Sequence, residues 1–590
     1  MENKSISETL VLLADLKELF GEDPFRISSL RNIARKISKF PERISDKTLP
    51  ELLTIEGIGK GTAASLMELK ETGKLKELES LLEKTPSGIV NMLDIPGIGP
   101  KKVLIIWKTL GIETISELRY ACNENRLMEA KGFGLKTQNE ILKNLDFYEE
   151  NEGLFLFPKL ERIGLEWMGK MEKNQEIIQI EWVGDLRRKM EYSDKIEILI
   201  SIPGSESQRN SKMQSWFYGN EAISPENPIQ LENSKEYPDL SVLHFTSLEG
   251  VPIWIYGCSP PHFYSFLFLL TGSPDFLKTL PTIQIPSFIQ GNWESEEAIF
   301  AHFPSDFIIP ELREDWKTIY RDFKGEEFEN PGHPFTLNYY PVPRNDLIRF
   351  QDLKGALHNH STYSDGMNSI EEMARACLDM GLSYLGMADH SRTAVYAQGL
   401  SIEKVHEQFL EIDVLNKKLS PFKIFKGIES DILNDGSLDY PDEILKEFDY
   451  VVASVHSNLK MDKTKAMDRV MKAISNPYTT ILGHPTGRLL LGRAGYPLDM
   501  EIIIEACIQH NVVIEINANP NRLDIDWRWI HFGLNKGALF SINPDAHKTT
   551  GLKDMEFGIG VARKGGLPSD HCLNAFSLEQ IENHFKNKRI

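Results

Sequence analysis

From Leu353 to the C-terminus, short apolar runs of strand character alternate with segments able to form helices, and almost every apolar run ends in a histidine or a carboxylate. Seven strands are predicted: Gly355–Leu357, Tyr384–Ala388, Lys423–Gly427, Tyr450–Val455, Thr480–Gly483, Val512–Ile516 and Leu539–Ile542. This alternation marks an α/β domain with a parallel sheet, and seven units predict a barrel rather than an open sheet. The first run leads into HNHSTYSDG, with His358, His360 and Asp365. ADHS supplies His390, GIES Glu429, SVHS His456, GHP His484, and NPDAH Asp545 and His547. The C-terminal ends of barrel strands share one face, so these nine imidazoles and carboxylates are expected to converge.

Six histidines and three acids exceed the four to six ligands of one ion; with bridging carboxylates they suit two or three divalent cations. A donor set without thiolates admits Mn²⁺, Zn²⁺ or Fe²⁺, and ligand type alone does not choose among them. Clustered cations neutralise phosphate oxygens and activate water, so the expected chemistry is hydrolysis of phosphate esters. Asp545, His547 and Arg488 are the candidate catalytic residues. Arg488, in GHPTGRLLLGR, either grips a phosphate in a bidentate fork or forms a surface ion pair.

At 590 residues the chain is too long for one core, and about three to five domains are expected. The formal charge of −20 argues against a protein that coats nucleic acid over its whole surface. The acidic excess lies beyond residue 145, however, and basic residues cluster in Arg31–Lys39 and Lys101–Lys108. Any nucleic-acid contact should therefore be led by the N-terminal part. The five scattered cysteines form no CxxC pair, which fits a reducing cytoplasm. No signal peptide and no run of roughly 20 apolar residues is present.

The N-terminal 150 residues read as helical and contain a repeat. LTIEGIGKGTAASLMEL and LDIPGIGPKKVLIIWKTLGI share a Gly-x-Gly turn entering a helix, and EAKGFGLKTQNEILKNL is a weaker third copy. Such a turn leaves backbone N–H groups uncovered at a helix N-terminus, a ready site for a phosphate oxygen. Gly57, Gly59 and Lys60, and Gly97, Gly99, Lys101 and Lys102, are the candidate DNA-binding residues. The units resemble the helix-hairpin-helix motif, which holds the DNA backbone without reading sequence.

The run HNHSTYSDG, ADHS, GIES, SVHS, GHPTGR and NPDAH resembles the polymerase-and-histidinol-phosphatase (PHP) domain over nearly all of residues 353–590. That resemblance implies a distorted (β/α)7 barrel, a trinuclear metal centre and phosphoesterase activity. Asp365 stands where some relatives have histidine. The whole chain resembles a bacterial family X DNA polymerase, in which the PHP domain acts as a Mn²⁺-dependent 3′-5′ exonuclease. The implied architecture is a lyase-like helix-hairpin-helix domain (1–85), helix-hairpin-helix fingers (86–150), an α+β nucleotidyltransferase-like palm (151–285), a thumb (286–335), a linker (336–352) and the PHP barrel (353–590).

Two departures from the family pattern carry expectations. Ser65 stands where lyase-active relatives carry a Schiff-base lysine, and a hydroxyl cannot form an imine. In the palm segment VGDLRRKMEYSDKIEILIS, Asp185 replaces a phosphate-contacting serine, and the two metal-binding aspartates fall on Lys195 and Glu197. The third expected carboxylate falls on Trp254. Two-metal catalysis needs those oxygens, so the palm is expected not to polymerise. The leading expectation is a DNA-binding metallo-exonuclease that trims gapped or 3′-ended DNA in repair. The alternatives are an active bifunctional polymerase/exonuclease, a small-molecule phosphatase resembling histidinol-phosphate phosphatase, and a non-enzymatic DNA-end scaffold.

Overall fold

The structure is a computed structural model. It describes residues 3–588 apart from 124–126, 128–129, 131, 219, 221, 225–226, 228, 235–236, 238, 280–287, 290, 303–306 and 315–346. The chain divides into two compact units, Met1–Glu152 and Gly153–Ile590. Among the described residues no helix is long and apolar enough to cross a membrane. All five cysteines are buried and unbridged.

The first unit is helical. Leu49–Thr54 and Lys60–Thr72 form one hairpin, Ser87–Leu93 and Pro100–Lys108 a second. Each buries one apolar stripe: Leu52, Ile58, Ala63, Leu66 and Leu69 in the first, Ile89, Met92, Ile95, Ile98, Val103 and Ile106 in the second. These residues belong to one core cluster that also takes in the opening helix Asn3–Leu19. Helix Leu135–Asn151 follows the third Gly-x-Gly turn.

The second unit opens with a five-stranded sheet in the order Gln179–Trp182, Ile196–Ser201, Pro252–Cys258, Ser241–Thr246 and Gln230–Asn233. Its central pair, Ile196–Ser201 with Pro252–Cys258, is parallel and the other neighbours are antiparallel. Helices Phe157–Met171 and Glu206–Phe217 pack against it through Leu160, Ile163, Trp167, Met213 and Phe217. Much of the expected thumb and linker lies outside the described residues, which within 286–352 are 288–289, 291–302, 307–314 and 347–352.

All seven strands predicted after Leu353 form one parallel sheet in sequence order: Gly355–Ala356, Tyr384–Met387, Lys423–Asp431, Tyr450–Ser454, Ile481–Leu482, Val513–Asn517 and Phe540–Asn543. The sheet is nearly closed. Past the strand ends, His360 N–H donates to the Ala546 carbonyl at 2.9 Å. At the base the Asn574 side chain stands in for strand pairing, donating to Gly355 O at 3.1 Å and accepting from Ile542 N–H at 2.7 Å.

An apolar plug that includes Leu357, Tyr384, Phe425 and Tyr450 gathers inside the barrel, and Phe585 of the C-terminal helix Leu578–Asn587 stacks on Tyr450 with ring centroids 5.1 Å apart. Gly355 and Gly427 make room for these rings. A Cβ there would lie 2.0 Å from Tyr384 and 2.3 Å from Tyr450, respectively. With the base filled by apolar side chains, only the C-terminal rim is left for polar ones.

The five-stranded sheet and the barrel share one continuous core cluster and a buried ionic junction. Lys564, fully buried, donates to Arg188 O at 3.2 Å and to Glu314 Oε1 at 2.6 Å, and Arg188 Nε meets the same Glu314 oxygen at 2.9 Å. Such a junction is stable only while every charge keeps its partner.

Candidate metal centre and nucleic-acid elements

The nine residues expected to converge do converge. Glu429, 1% exposed on the long third strand, is the hub. Its Oε1 lies 3.0 Å from His484 Nε2, 3.1 Å from His456 Nε2 and 3.2 Å from His358 Nε2. Its Oε2 lies 2.9 Å from His390 Nδ1 and 3.7 Å from His360 Nε2. Asp545 Oδ1 is 3.1 Å from His360 Nε2, and Asp365 Oδ1 is 3.2 Å from His547 Nε2. Three overlapping donor groups result: His360, Asp365, His390 and His547; His358, His360 and Asp545; and His390, Glu429 and His456, with donor atoms in each within 4.8 Å of one another.

This donor set fits divalent cations. The buried Nδ1 of His360 has no hydrogen-bond partner, and nitrogens of His358, His390, His456 and His484 crowd the single carboxylate of Glu429, a costly state that shared metal ions would relieve. The rings also crowd: the centroid of His360 is 4.2 Å from that of His547 and 4.5 Å from that of His390. Burial and these two imidazoles push the His360 pKa down to about 4. Burial also opposes charge on His456, but Glu429 and Asp431 outweigh it and raise the pKa to about 10. His547 rises to about 9, against burial, through Asp365 and Asp545. Two residues of the set, His484 (φ +25°) and Asp545 (φ +51°), sit in the left-handed region that favours glycine, backbone strain of the kind that gathers at functional sites.

Sequence reading missed the residues behind the donors. Glu515, on the sixth strand and fully buried, accepts from His358 Nδ1 at 2.7 Å and from the His484 backbone N–H at 2.6 Å. This contact turns the other His358 nitrogen towards Glu429 and fixes the ring. Asp431 does the same for His456 Nδ1 at 2.5 Å. Asp389 accepts from Ser361 N–H and Oγ and from Gln408, each at 2.7 Å, and so pins the HNHS turn. A carboxylate inside the apolar run VVIEIN was the available signal for Glu515, since a buried charge needs a partner.

The phosphate-gripping role expected of Arg488 does not fit, nor is it a surface ion pair. Its guanidinium is only 16% exposed and is held by Asp526 at 2.7 Å, by the Arg522 carbonyl at 3.0 Å and by the Leu523 carbonyl. It also reaches Glu191, in the segment before the five-stranded sheet's second strand, at 3.4 Å. Tertiary contacts the sequence could not display thus occupy the fork. Arg522 instead approaches the centre, with Nε 3.8 Å from Asp545 Oδ2.

The positions expected to belong to a palm lie in the five-stranded sheet and its approach. Glu197 and Trp254 are register partners on the central parallel pair. Lys195 Nζ lies 5.2 Å from the Trp254 ring centroid. Glu197 turns inward, accepting from Tyr256 Oη at 2.8 Å, and burial raises its pKa although Lys195 opposes the shift. Arg187 bonds Thr271 Oγ1 at 2.7 Å and Glu296 at 2.6 Å, while Asp185 pairs with Arg188 and accepts from Ser193 Oγ at 2.7 Å.

In the helical unit the two glycines of each turn differ. Gly57 (φ +92°) and Gly97 (φ +79°) use the left-handed conformation, as does Gly132 (φ +97°) of the third copy. Gly59 and Gly99 are N-caps with extended backbone, and no atom within 4 Å would meet a Cβ. Their value is an uncovered helix N-terminus. Lys60 and Lys101 are exposed beside these turns, whereas Lys102 Nζ bonds Gly97 O at 3.0 Å.

Comparison with known proteins agrees with this division. Residues 1–75 match the helix-hairpin-helix domain family, 89–146 the SAM-like helix-hairpin-helix tandem, and 356–519 the PHP domain. The barrel resembles a "Probable phosphatase" of Thermoanaerobacter sp. (strain X514), 29% identical over 245 residues, 39% of this chain and 94% of that protein. A "Probable phosphatase" of Clostridium acetobutylicum is 30% identical over 168 residues, 27% of this chain and 63% of that protein. The "DNA polymerase/3'-5' exonuclease PolX" of Bacillus subtilis (strain 168) is 32% identical over 605 residues, 99% of this chain and all of that protein. A likeness running from the first helical hairpin to the last barrel strand places the whole chain, and not its barrel alone, in the bacterial PolX family: DNA polymerases of family X that carry a PHP domain.

Proposed function

We propose that this protein is a DNA-binding, metal-dependent phosphoesterase that digests DNA 3′ to 5′ from its barrel, and that its palm does not polymerise. The observation that carries the first half is the convergence of nine donors on Glu429, held from behind by Glu515 and Asp431. His358, His360, Asp365, His390, Glu429, His456, His484, Asp545 and His547 would hold two or three divalent cations, Mn²⁺ or Zn²⁺ or Fe²⁺. Such ions, when bound, lower the pKa of water and neutralise phosphate charge. The chain's own part is to keep the imidazoles oriented through the carboxylates behind them and to set Arg522 beside Asp545 for a phosphate oxygen. Gly57, Gly59, Lys60, Gly97, Gly99, Lys101 and Lys102 would hold the DNA backbone, so affinity should fall with salt.

The second half rests on Lys195 beside Trp254. An ammonium and an indole cannot replace two carboxylates around Mg²⁺, and the one carboxyl group that remains, Glu197, is buried against Tyr256. The first measurement is Mn²⁺-dependent digestion of a 5′-labelled oligonucleotide. A ladder of shortened products, lost in His358→Ala/His360→Ala, supports the exonuclease. No digestion with Mn²⁺, Zn²⁺ or Fe²⁺ would direct the search to phosphate monoesters, the reading that the phosphatase-like barrel relatives favour. Templated primer extension by the double mutant would overturn the silent palm and favour a bifunctional enzyme, as the Bacillus subtilis relative is named.

A further inference from the structure

Above the metal centre stands an aromatic side chain that the fold holds in solvent. Between His390 and helix Ile402–Leu419 the chain makes a short turn, Val395–Ala397, whose first two residues are 80% and 70% exposed. Exposed aliphatic residues are common singly, but this Val-Tyr pair has a particular place. The Tyr396 ring centroid lies 6.0 Å from that of His390 and 6.4 Å from that of His456, both members of the donor set.

The turn is built to keep the pair outward. Its neighbours Ala394 and Ala397 are fully buried. Ser391 N–H donates to Glu429 O at 3.0 Å, Leu400 N–H to His390 O at 2.8 Å and Gly399 N–H to Ala394 O at 3.1 Å. Thr393 donates its N–H to Asp439 at 2.7 Å and its hydroxyl to Asp431 at 2.9 Å, and Asp431 also holds His456. Only glycine fits at Gly399, where a Cβ would lie 1.8 Å from Ser391 O. The turn is thus fastened to Asp431, the carboxylate that orients His456, and to the backbone of the hub residue Glu429. Tyr396 presents a ring with few rotatable bonds from a pre-set backbone, so little ordering entropy opposes contact with a planar partner.

We propose that Tyr396, flanked by Val395, is the platform on which the base of the terminal nucleotide stacks while its phosphate lies at the metal centre. The inference rests on the nuclease reading and adds a specificity-determining residue to it, one that recognises the base beside the phosphate. Every base has a π face, so such a platform selects for the presence of a base and not for its identity.

The test compares two 5′-labelled single strands, one with a natural 3′-terminal nucleotide and one ending in a tetrahydrofuran abasic residue. Full-length wild type, Tyr396→Ala and Tyr396→Phe are assayed with Mn²⁺. The wild type should show a KM about tenfold lower for the natural end, Tyr396→Phe should keep that preference, and Tyr396→Ala should erase it by raising KM on the natural end alone. Equal losses on both ends would mean a merely structural residue, and no change on either would mean no contact; each overturns the proposal. If the wild type cleaves p-nitrophenyl phosphate but neither strand, the nuclease reading fails and this inference falls with it. Digestion without discrimination removes this inference alone.

Discussion

The five-stranded sheet and the barrel lie in one compact unit, and in each a carboxylate sits at the centre of the expected site, Glu197 in one and Glu429 in the other. Around Glu429 five imidazoles approach within 3.7 Å, and Glu515 and Asp431 hold their far sides. Around Glu197 the neighbours are a tyrosine hydroxyl, an indole, the cations Lys195 and Arg188, and one further carboxylate, Asp185, but no imidazole. Both sites are buried carboxylates on parallel strands, and strand geometry does not separate them. What separates them is whether the surrounding donors can share a cation. Two carboxylates in similar strand settings thus have different neighbours, and fold alone does not assign activity.

The sharpest way to break the comparison is His358→Ala/His360→Ala. Digestion should drop to background while the thermal unfolding profile stays cooperative; persistent digestion would move the active site out of the barrel. Next comes a matched pair of substitutions at the carboxylates. Glu515→Gln, which weakens the hold on His358, should reduce metal affinity or activity by about 10- to 100-fold. Glu197→Gln should leave digestion intact, and a comparable loss there would show that the palm takes part.

A smaller effect is expected from pH. Metal binding must displace protons from His456 and His547, whose metal-free pKa values lie at about 10 and about 9. Apparent Mn²⁺ affinity should therefore rise from about pH 6 to about pH 9, as followed by titration of activity against Mn²⁺. A flat profile would count against these two imidazoles as ligands. The smallest expected effect lies in the helical unit. Gly97→Ala places a Cβ at φ +79° and should cost about 1 kcal/mol of stability. It should also weaken DNA binding several-fold in a fluorescence anisotropy titration, whereas Ser65→Ala should change neither.

Much of the barrel was legible because its signal is repeated. Seven apolar runs ending in His, Asp or Glu leave few alternatives, and the observed strands fall on the expected ones with shifts of a few residues at their ends. Gly57 and Gly97 were legible for a similar reason, since a left-handed turn position strongly prefers glycine. Arg488 was misread because its partners Asp526, Leu523 and Glu191 lie on other segments, and a guanidinium carries no sign of which acid will claim it. Arg522 and Tyr396 were passed over because nothing local marks an arginine or tyrosine as facing a site.

The sequence by itself determined which residue types end the barrel strands and where the helical turns lie. Those are properties of local order, set by side-chain periodicity and by the few residues that tolerate a given backbone. Only the tertiary structure decided that Glu429 is the hub, that Glu515 stands behind His358, that Glu197 is sealed against Tyr256, and that Arg488 is claimed by Asp526 and Glu191. Each depends on pairs of groups far apart in the chain. The energy of a buried charge is fixed by what surrounds it in three dimensions and not by its neighbours in sequence.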